Sequence, residues 1–319
     1  MNKTNKPKIF FCVGLVASGK SSWAENNKDK LNAVIHSSDA IREEFGDIND
    51  QTQNELVFNT LHKRVKEDLL NGNNVIYDAT NLSRKRRVAF IKELKNIPCE
   101  KICVLFATPF LSCRINNAER ERQVPTNVLY KMIKNFEVPC YQEGWDDIQI
   151  VWFDYKEHKL NFNFLKDLEN WREISQDNPH HSLSIGDHMI AASNHYASMC
   201  EYYEDRSTAD KLLSMAIFMH DCGKVFTKSF IDSKGNPCEK AHFYQHHLVG
   251  SYLSLFYLKE SGLFTDNEIL HISLLIGLHM QPFLAWDKSE KAKEKDRRLF
   301  GDEILEQVMK LHECDLAAH

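Results

Sequence analysis

Proline and glycine are scarce in this 319-residue chain, at 8 and 12 residues, which excludes collagen-like and low-complexity architectures. No run of eighteen apolar residues occurs, so no segment is expected to span a membrane. Internal repeats are missing as well. The short apolar run near the N-terminus passes into a loop with glycine and lysine rather than a small-residue cleavage site, so it does not read as a signal peptide. The nine cysteines form no CxxC pair. Without a secretion signal they are expected to be reduced thiols of a cytoplasmic protein.

What remains is a globular balance, 43% hydrophobic and 27% charged, over a length that suits two domains. This balance excludes a largely disordered chain. A net charge of −5 argues against a generic polyanion binder, but the charge is unevenly spread. Residues 1–150 hold 22 Lys and Arg against 19 Asp and Glu; residues 151–319 hold 18 against 26. Twelve of the 15 histidines follow residue 170. An acidic, histidine-rich half suits cations better than a nucleic-acid backbone, so two chemistries are expected.

The first half alternates between apolar runs and helical periodicity. Strands are predicted at 8–13, 32–36, 75–77, 101–107 and 148–153, and helices from the phosphate loop to about residue 25, at 55–70, 83–94 and 110–122. That alternation means a parallel sheet with helical crossovers. From about residue 154 long amphipathic stretches dominate, at 186–203, 208–222, 242–260, 266–280 and 301–316. This half reads as all-α.

Gly14-Leu-Val-Ala-Ser18-Gly19-Lys20-Ser21 fits GxxxxGK[ST] between a buried strand and a helix. Main-chain N–H groups of such a loop cup a phosphate at the positive end of the helix, with the lysine on the β/γ-phosphates and the serine on Mg²⁺. Ser22 extends the same turn. The second strand ends in Ser38-Asp39, with Arg42 one turn on. Asp39 is placed to take a proton from an attacking hydroxyl and Arg42 to hold a phosphate, the alternative being a helix cap with a surface arginine. The third strand runs into Asp78, Thr80 and Asn81, read either as Mg²⁺ and substrate contacts or as an Asx turn. Arg84-Lys85-Arg86-Arg87 is either a solvated face or a phosphate contact. Arg114, Arg120 and Arg122 share one helix and turn, suited to the equatorial oxygens of a transferring phosphoryl group; pairing with Glu119 and Glu121 is the alternative.

GLVASGKS, SSDAIR, VIYDATNLS and NAERERQVP, in this order, resemble the P-loop kinase of the phage polynucleotide kinase family over about residues 8–150. The resemblance implies transfer of the ATP γ-phosphate to a 5′-hydroxyl of RNA or DNA. It implies Lys20 and Ser21 as nucleotide and Mg²⁺ contacts, Asp39 as general base, Arg42 on the acceptor's 3′-phosphate, and Arg120 and Arg122 as lid arginines. Gly14, Ser18, Gly19 and Ser22 complete the nucleotide loop, and Asp78, Thr80, Asn81 and Arg114 fall on the substrate side. Ala17 stands where such loops often carry glycine.

In the second half, His220-Asp221 closes an apolar helix and is followed by Gly223-Lys224. His188, His246, His279 and Asp315 also sit near apolar helical stretches, where a lone polar group is costly unless paired or metal-bound. A single such histidine would more often be a satisfied core residue. The series resembles the HD phosphohydrolase superfamily over about residues 180–319. The resemblance implies His188, His220, Asp221 and Asp315 as four core ligands, and His246 and His279 as holders of a second metal. His247 competes with His246, and His180 or His181 with His188. Lys224 is implied on the substrate phosphate.

The expected architecture is thus an α/β P-loop kinase domain with a central parallel sheet over 1–155, a linker over 156–179, and an all-α HD domain over 180–319. The expected cofactors are ATP or another NTP, Mg²⁺, and one or two divalent transition metals. The expected function is healing of nucleic-acid ends: phosphorylation of 5′-OH ends and removal of 2′,3′-cyclic or terminal phosphate. The partners would be RNA or DNA ends and a polynucleotide ligase acting afterwards, with no membrane. The rival is a small-molecule nucleoside or nucleotide kinase fused to an HD nucleotidase; a third reading makes the HD half a non-catalytic ligand-binding module.

Overall fold

A computed structural model of the chain describes residues 6–46, 52–154, 160–179, 182–200 and 208–318. It divides into two compact units, one of Met1–Leu129 with Pro139–Asp154, the other of Tyr130–Val138 with Tyr155–His319.

The first unit is built on strands β1 (Lys8–Val13), β2 (Ala33–Ser37), β3 (Asn74–Asp78), β4 (Glu100–Ala107) and β5 (Asp147–Trp152). They lie in the order β2-β3-β1-β4-β5, every pair parallel. Helices α1 (Lys20–Leu31), α2 (Ser38–Glu44), α3 (Asn54–Leu70), α4 (Arg84–Glu93) and α5 (Phe110–Ala118) form the crossovers, and α6 (Thr126–Lys134) leads on into the second unit. β1 is apolar at nearly every position because both its faces are covered. Phe10 and Cys12 pack with Ala24, Ile76 and Phe106 on one side. On the other, Phe11 stacks on Tyr77 at 4.4 Å and meets Trp145 at 5.1 Å. All five predicted strands are present within a residue or two of their expected bounds.

Two helix ends differ from expectation. α1 runs on to Leu31, and α5 stops at Ala118 rather than near residue 122. The early stop has a local cause. The Asn117 amide donates to Val124 O and its carbonyl accepts from Val124 N, both at 2.9 Å, so the side chain closes a loop where the helix would have continued.

The second unit contains α7 (Phe164–Trp171), α8 (Ile185–Cys200), α9 (Thr208–Met219), the single turn α10 (Lys224–Thr227), α11 (His246–Ser261), α12 (Asp266–Leu278), α13 (Glu290–Phe300) and α14 (Asp302–Ala317). The all-α reading needs one correction. β6 (Ser229–Ile231) and β7 (Pro237–His242) form an antiparallel ribbon around Gly235. The stretch taken as a linker is also corrected, because α7 lies within it. Leu168 and Trp171 of α7 pack with Ile185, Met189 and Cys222 in the unit's core. α13 was not anticipated: its sequence is mostly charged, and only Phe300 is buried. His180 and His181 lie outside the described residues.

Candidate functional site

The first site sits at the C-terminal edge of the parallel sheet, where open α/β sheets bind ligands. The loop from Gly14 to Gly19 leads from β1 into α1. Gly14 N donates to Thr80 O, and Thr108 Oγ1 and Asn116 Nδ2 hold the carbonyls of Ser18 and Ala17 at 3.0 and 3.1 Å. Ala17 has φ 59° and Gly19 φ 93°, so the position at 17 accepts a left-handed backbone despite its Cβ. Among the described residues, the main-chain N–H groups of Ala17, Gly19, Lys20 and Ser21 have no protein acceptor. They converge as donors at a helix N-terminus, the arrangement that holds phosphate.

Lys20 is buried and folds back on Leu15 O at 2.5 Å and Ser18 Oγ at 3.3 Å. Burial lowers its pKa, with Asp78 opposing and Arg120 adding to the fall. Asp78 accepts from Ser21 Oγ at 2.7 Å; burial raises its pKa, against Ser21 and Lys20. Ser21 and Asp78 are therefore paired as a Mg²⁺ site of this loop type requires. Asp39 lies between two arginines, with Arg42 Nη1 at 2.9 Å and Arg122 Nη1 at 3.2 Å. Arg42 also donates to Asn54 Oδ1 at 2.7 Å, a contact that sequence reading missed.

Other expected residues fare differently. Arg120 is exposed on the loop after α5, and its charge reaches both Lys20 and Asp78. Ser22 is exposed at the start of α1, and Thr80 contributes its carbonyl to Gly14. Arg114 is exposed and lines a groove with Asn117, Gln123 and Pro125. Asn81, at φ 51°, turns its amide inward to Cys12 O at 2.8 Å, so its role here is to fasten the turn after β3. The basic run splits. Lys85 and Arg86 are exposed, while Arg87 is fully buried and bidentate to Glu143 at 2.6 and 2.7 Å, with Trp145 Nε1 on the same carboxylate at 3.1 Å. Arg84 adds an ion pair at 3.5 Å. Those two arginines hold the fold.

The second site lies wholly within the helical unit. His188 comes from α8, His220 and Asp221 from the turn after α9, His246 from the start of α11, His279 from the end of α12, and Asp315 from α14. Two sets of ligand atoms gather there: His188, His220, Asp221 and Asp315, and Asp221, His246 and His279. Asp221 belongs to both. Its Oδ2 lies 3.3 Å from Nε2 of His188 and of His220, and its Oδ1 3.2 Å from His246 Nε2 and 3.8 Å from His279 Nε2. Asp315 Oδ1 lies 2.9 Å from His188 Nε2.

Tautomers decide what this cluster can hold. Nδ1 of His220, His246 and His279 lies 2.7 to 2.8 Å from the carbonyls of Ile217, Phe243 and Ile276, each three residues upstream. His188 Nδ1 faces Ala318 O at 3.3 Å. A carbonyl only accepts, so Nδ1 carries the hydrogen and Nε2 presents a lone pair. Those Nε2 atoms face one another at 3.3 Å for His188 and His220, and at 3.1 Å for His246 and His279.

Burial and charge pull the groups of this cluster in opposite directions. Burial lowers His220, but Asp221 and Asp315 outweigh it and push the pKa up to about 10. Burial, with His246 and His220 adding to it, holds His279 well below the ordinary imidazole range. Burial raises Asp221, yet Lys224 and His220 keep it well below the usual carboxylate range. Asp221 Oδ2 is buried and receives no well-directed hydrogen bond, although Lys224 Nζ pairs with it at 2.6 Å. Converging lone pairs, the buried Asp221 carboxylate and the half-buried Asp315 fit divalent transition cations.

Close packing fixes this geometry. A Cβ on Gly223 would fall 2.5 Å from Gly250 N and against His246 O, so only glycine lets the turn carrying Asp221 approach α11. Sequence reading missed one buried neighbour, Gln176, and weighed another, His247, as an alternative to His246. Gln176 reaches Lys224 Nζ at 2.8 Å. The His247 ring lies 5.8 Å from that of His246, and burial, with His246, pushes its pKa down to about 3.

Residues 9–139 match the family described as an AAA domain. The L-seryl-tRNA(Sec) kinase of Methanococcus maripaludis is 25% identical over 190 residues, 58% of this chain and 71% of that protein. A gluconokinase from Sinorhizobium meliloti 1021 aligns with a TM-score of 0.34 at 15% identity, over 47% of this chain and 85% of its own. The first unit is a P-loop kinase-like domain with a central parallel sheet, a fold that implies ATP and Mg²⁺. No described helix is long and apolar enough to cross a membrane.

Proposed function

We propose that this chain heals nucleic-acid ends, with a 5′-hydroxyl kinase in the first unit and a metal-dependent phosphohydrolase in the second. The observation that carries the reading is the sharing of Asp221 between two sets of imidazole ligands in one chain with a phosphate loop. In the first unit, Asp39 would accept the proton of the acceptor hydroxyl, and Arg42 would hold an acceptor phosphate. Lys20 and the free N–H groups would cradle the β- and γ-phosphates, and the lid arginines Arg120 and Arg122 would meet the charge of the transferring group. Mg²⁺ would be held by Ser21 and Asp78, and would neutralise phosphate charge.

In the second unit, His188, His220, Asp221 and Asp315 would hold one divalent cation, and His246 and His279 with Asp221 a second. Such ions supply an activated water and a phosphate clamp. Lys224 would bind a substrate phosphate oxygen from the edge of the cluster. One relative is named as a kinase of an L-seryl-tRNA, which lends RNA some preference over DNA as the acceptor in this reading. Polynucleotide ends rejoined by a ligase are the partners this reading expects.

The test uses an RNA bearing 5′-OH and 2′,3′-cyclic phosphate ends, γ-labelled ATP and a panel of divalent metals. Label at the 5′ end, lost in Lys20→Ala, and opening and removal of the cyclic phosphate, lost in His220→Ala, are the expected results. Label that enters a nucleoside but not the oligonucleotide favours the small-molecule kinase. An unaltered 3′ end under every metal leaves the second unit a binding module and overturns the end-healing reading.

A further inference from the structure

Lys224 is nearly buried at the rim of the histidine cluster, and its ammonium has three hydrogens. Its Nζ forms an ion pair with Asp221 Oδ2 at 2.6 Å and donates a hydrogen bond to Gln176 Oε1 at 2.8 Å. No further acceptor is found for it among the described residues. The Phe243 ring closes another side, with its centroid 5.4 Å from Nζ.

Gln176 is 1% exposed, and its own amide is fixed by Leu183 O at 3.2 Å. The backbone around it is fastened from several directions. Ile185 N donates to Ile174 O, Ala241 N to Asp177 O at 2.8 Å, and Asn178 Nδ2 to Ala241 O at 3.2 Å. Lys228 Nζ binds Ser175 O and Asp177 Oδ2, both at 2.6 Å. Asp177 itself has φ 44°, a left-handed conformation costly for a residue with a side chain. A segment outside the predicted helical domain is thus anchored to deliver one neutral amide to one lysine.

A neutral acceptor matters at this position. A carboxylate would cancel the lysine's charge, and an apolar side chain would leave the ammonium to collapse onto Asp221, which two ligand sets share. We infer that Gln176 is a positioning residue, holding the Lys224 ammonium beside the metal cluster with a hydrogen free for a phosphate oxygen of the substrate. This inference rests on reading the second unit as a phosphohydrolase.

The test is a double-mutant cycle on the full-length, metal-loaded protein, with Gln176→Leu, Lys224→Ala and the pair. Inorganic phosphate is the probe, followed by titration calorimetry, with metal content and melting midpoint measured in parallel. Gln176→Leu is expected to weaken phosphate binding about ten- to a hundredfold, the scale of a hydrogen bond to a charged group. Metal content is expected to stay unchanged, and the double variant to bind no more weakly than Lys224→Ala alone. Gln176→Glu preserves volume, keeps the fold if leucine does not, and is expected to lose affinity with an unaltered melt. Additive losses, metal loss in Gln176→Leu, or undiminished affinity in Gln176→Glu overturn the inference alone. Absence of metal-dependent phosphate binding in the unmutated protein overturns the phosphohydrolase reading and this inference together.

Discussion

The two candidate sites are made of different materials. In the sheet unit the phosphate cradle is largely main chain: unpaired N–H groups at the start of α1, with Lys20 folded back on Leu15 O. In the helical unit the site is all side chain, six imidazoles and carboxylates carried by α8, α11, α12, α14 and the turn after α9, and nearly all buried. A main-chain site depends on a local turn and its glycines. A side-chain site depends on the packing of helices far apart in sequence, and it concentrates charge that needs a counter-ion. The first is expected to persist without ligand, whereas the second is expected to depend on its cation.

The sharpest way to break the comparison is to disable each site separately. Lys20→Ala is expected to lower phosphotransfer by about a thousandfold and leave phosphoester hydrolysis intact, since a preorganised cation acts only where charge develops. His220→Ala should do the reverse. Steady-state assays of both activities on each variant check this, and loss of both in either variant would dissolve the two-site picture.

Next in size is a purely structural change. Glu143→Gln leaves Arg87 buried without its carboxylate, and a broken buried ion pair costs about 3–5 kcal/mol. Denaturant unfolding followed by Trp145 fluorescence should report that loss in the sheet unit, with metal content unaltered.

Chelation probes the helical unit. Removing bound cations is expected to lower one calorimetric transition and spare the other, since a ligand present at a hundred times its Kd contributes about 2.7 kcal/mol. Two transitions moving together would mean that the dependence is not confined to the histidine cluster.

The smallest effect concerns acid. Burial depresses the His62 pKa below 6.5, against the pull of Glu93. A depressed pKa gives stability that is present above the unfolded value and is lost as pH falls through the folded one. The melting midpoint of the sheet unit should therefore fall from about pH 7 to pH 5, and His62→Gln should flatten that fall.

How much of this could be read from the chain follows from the same contrast. The phosphate loop and the strands around it were legible because a buried apolar run followed by GxxxxGK has few physical solutions, and the structure puts each where it was expected. The six residues of the histidine and aspartate cluster span 127 positions from His188 to Asp315, and no local period links them; only the resemblance of the series ordered them. Gln176 escaped because nothing marks a buried glutamine in a polar stretch. Arg84 and Arg87 read as a solvated face or a phosphate contact because their partner, Glu143, lies beyond β4, α5 and α6 in the sequence. α13 escaped because a helix that buries only Phe300 leaves almost no apolar signature.

The path of α6 has a practical consequence. Residues 130–138 fall inside the sheet unit's stretch of sequence but belong to the other unit, where the Phe136 ring lies 4.6 Å from Tyr252. No single cut of the chain yields both halves whole. A fragment ending near residue 154 would carry an orphaned apolar strip, and the complementary fragment would show a groove where Phe136 had been. Dissection by truncation would thus report aggregation rather than autonomy.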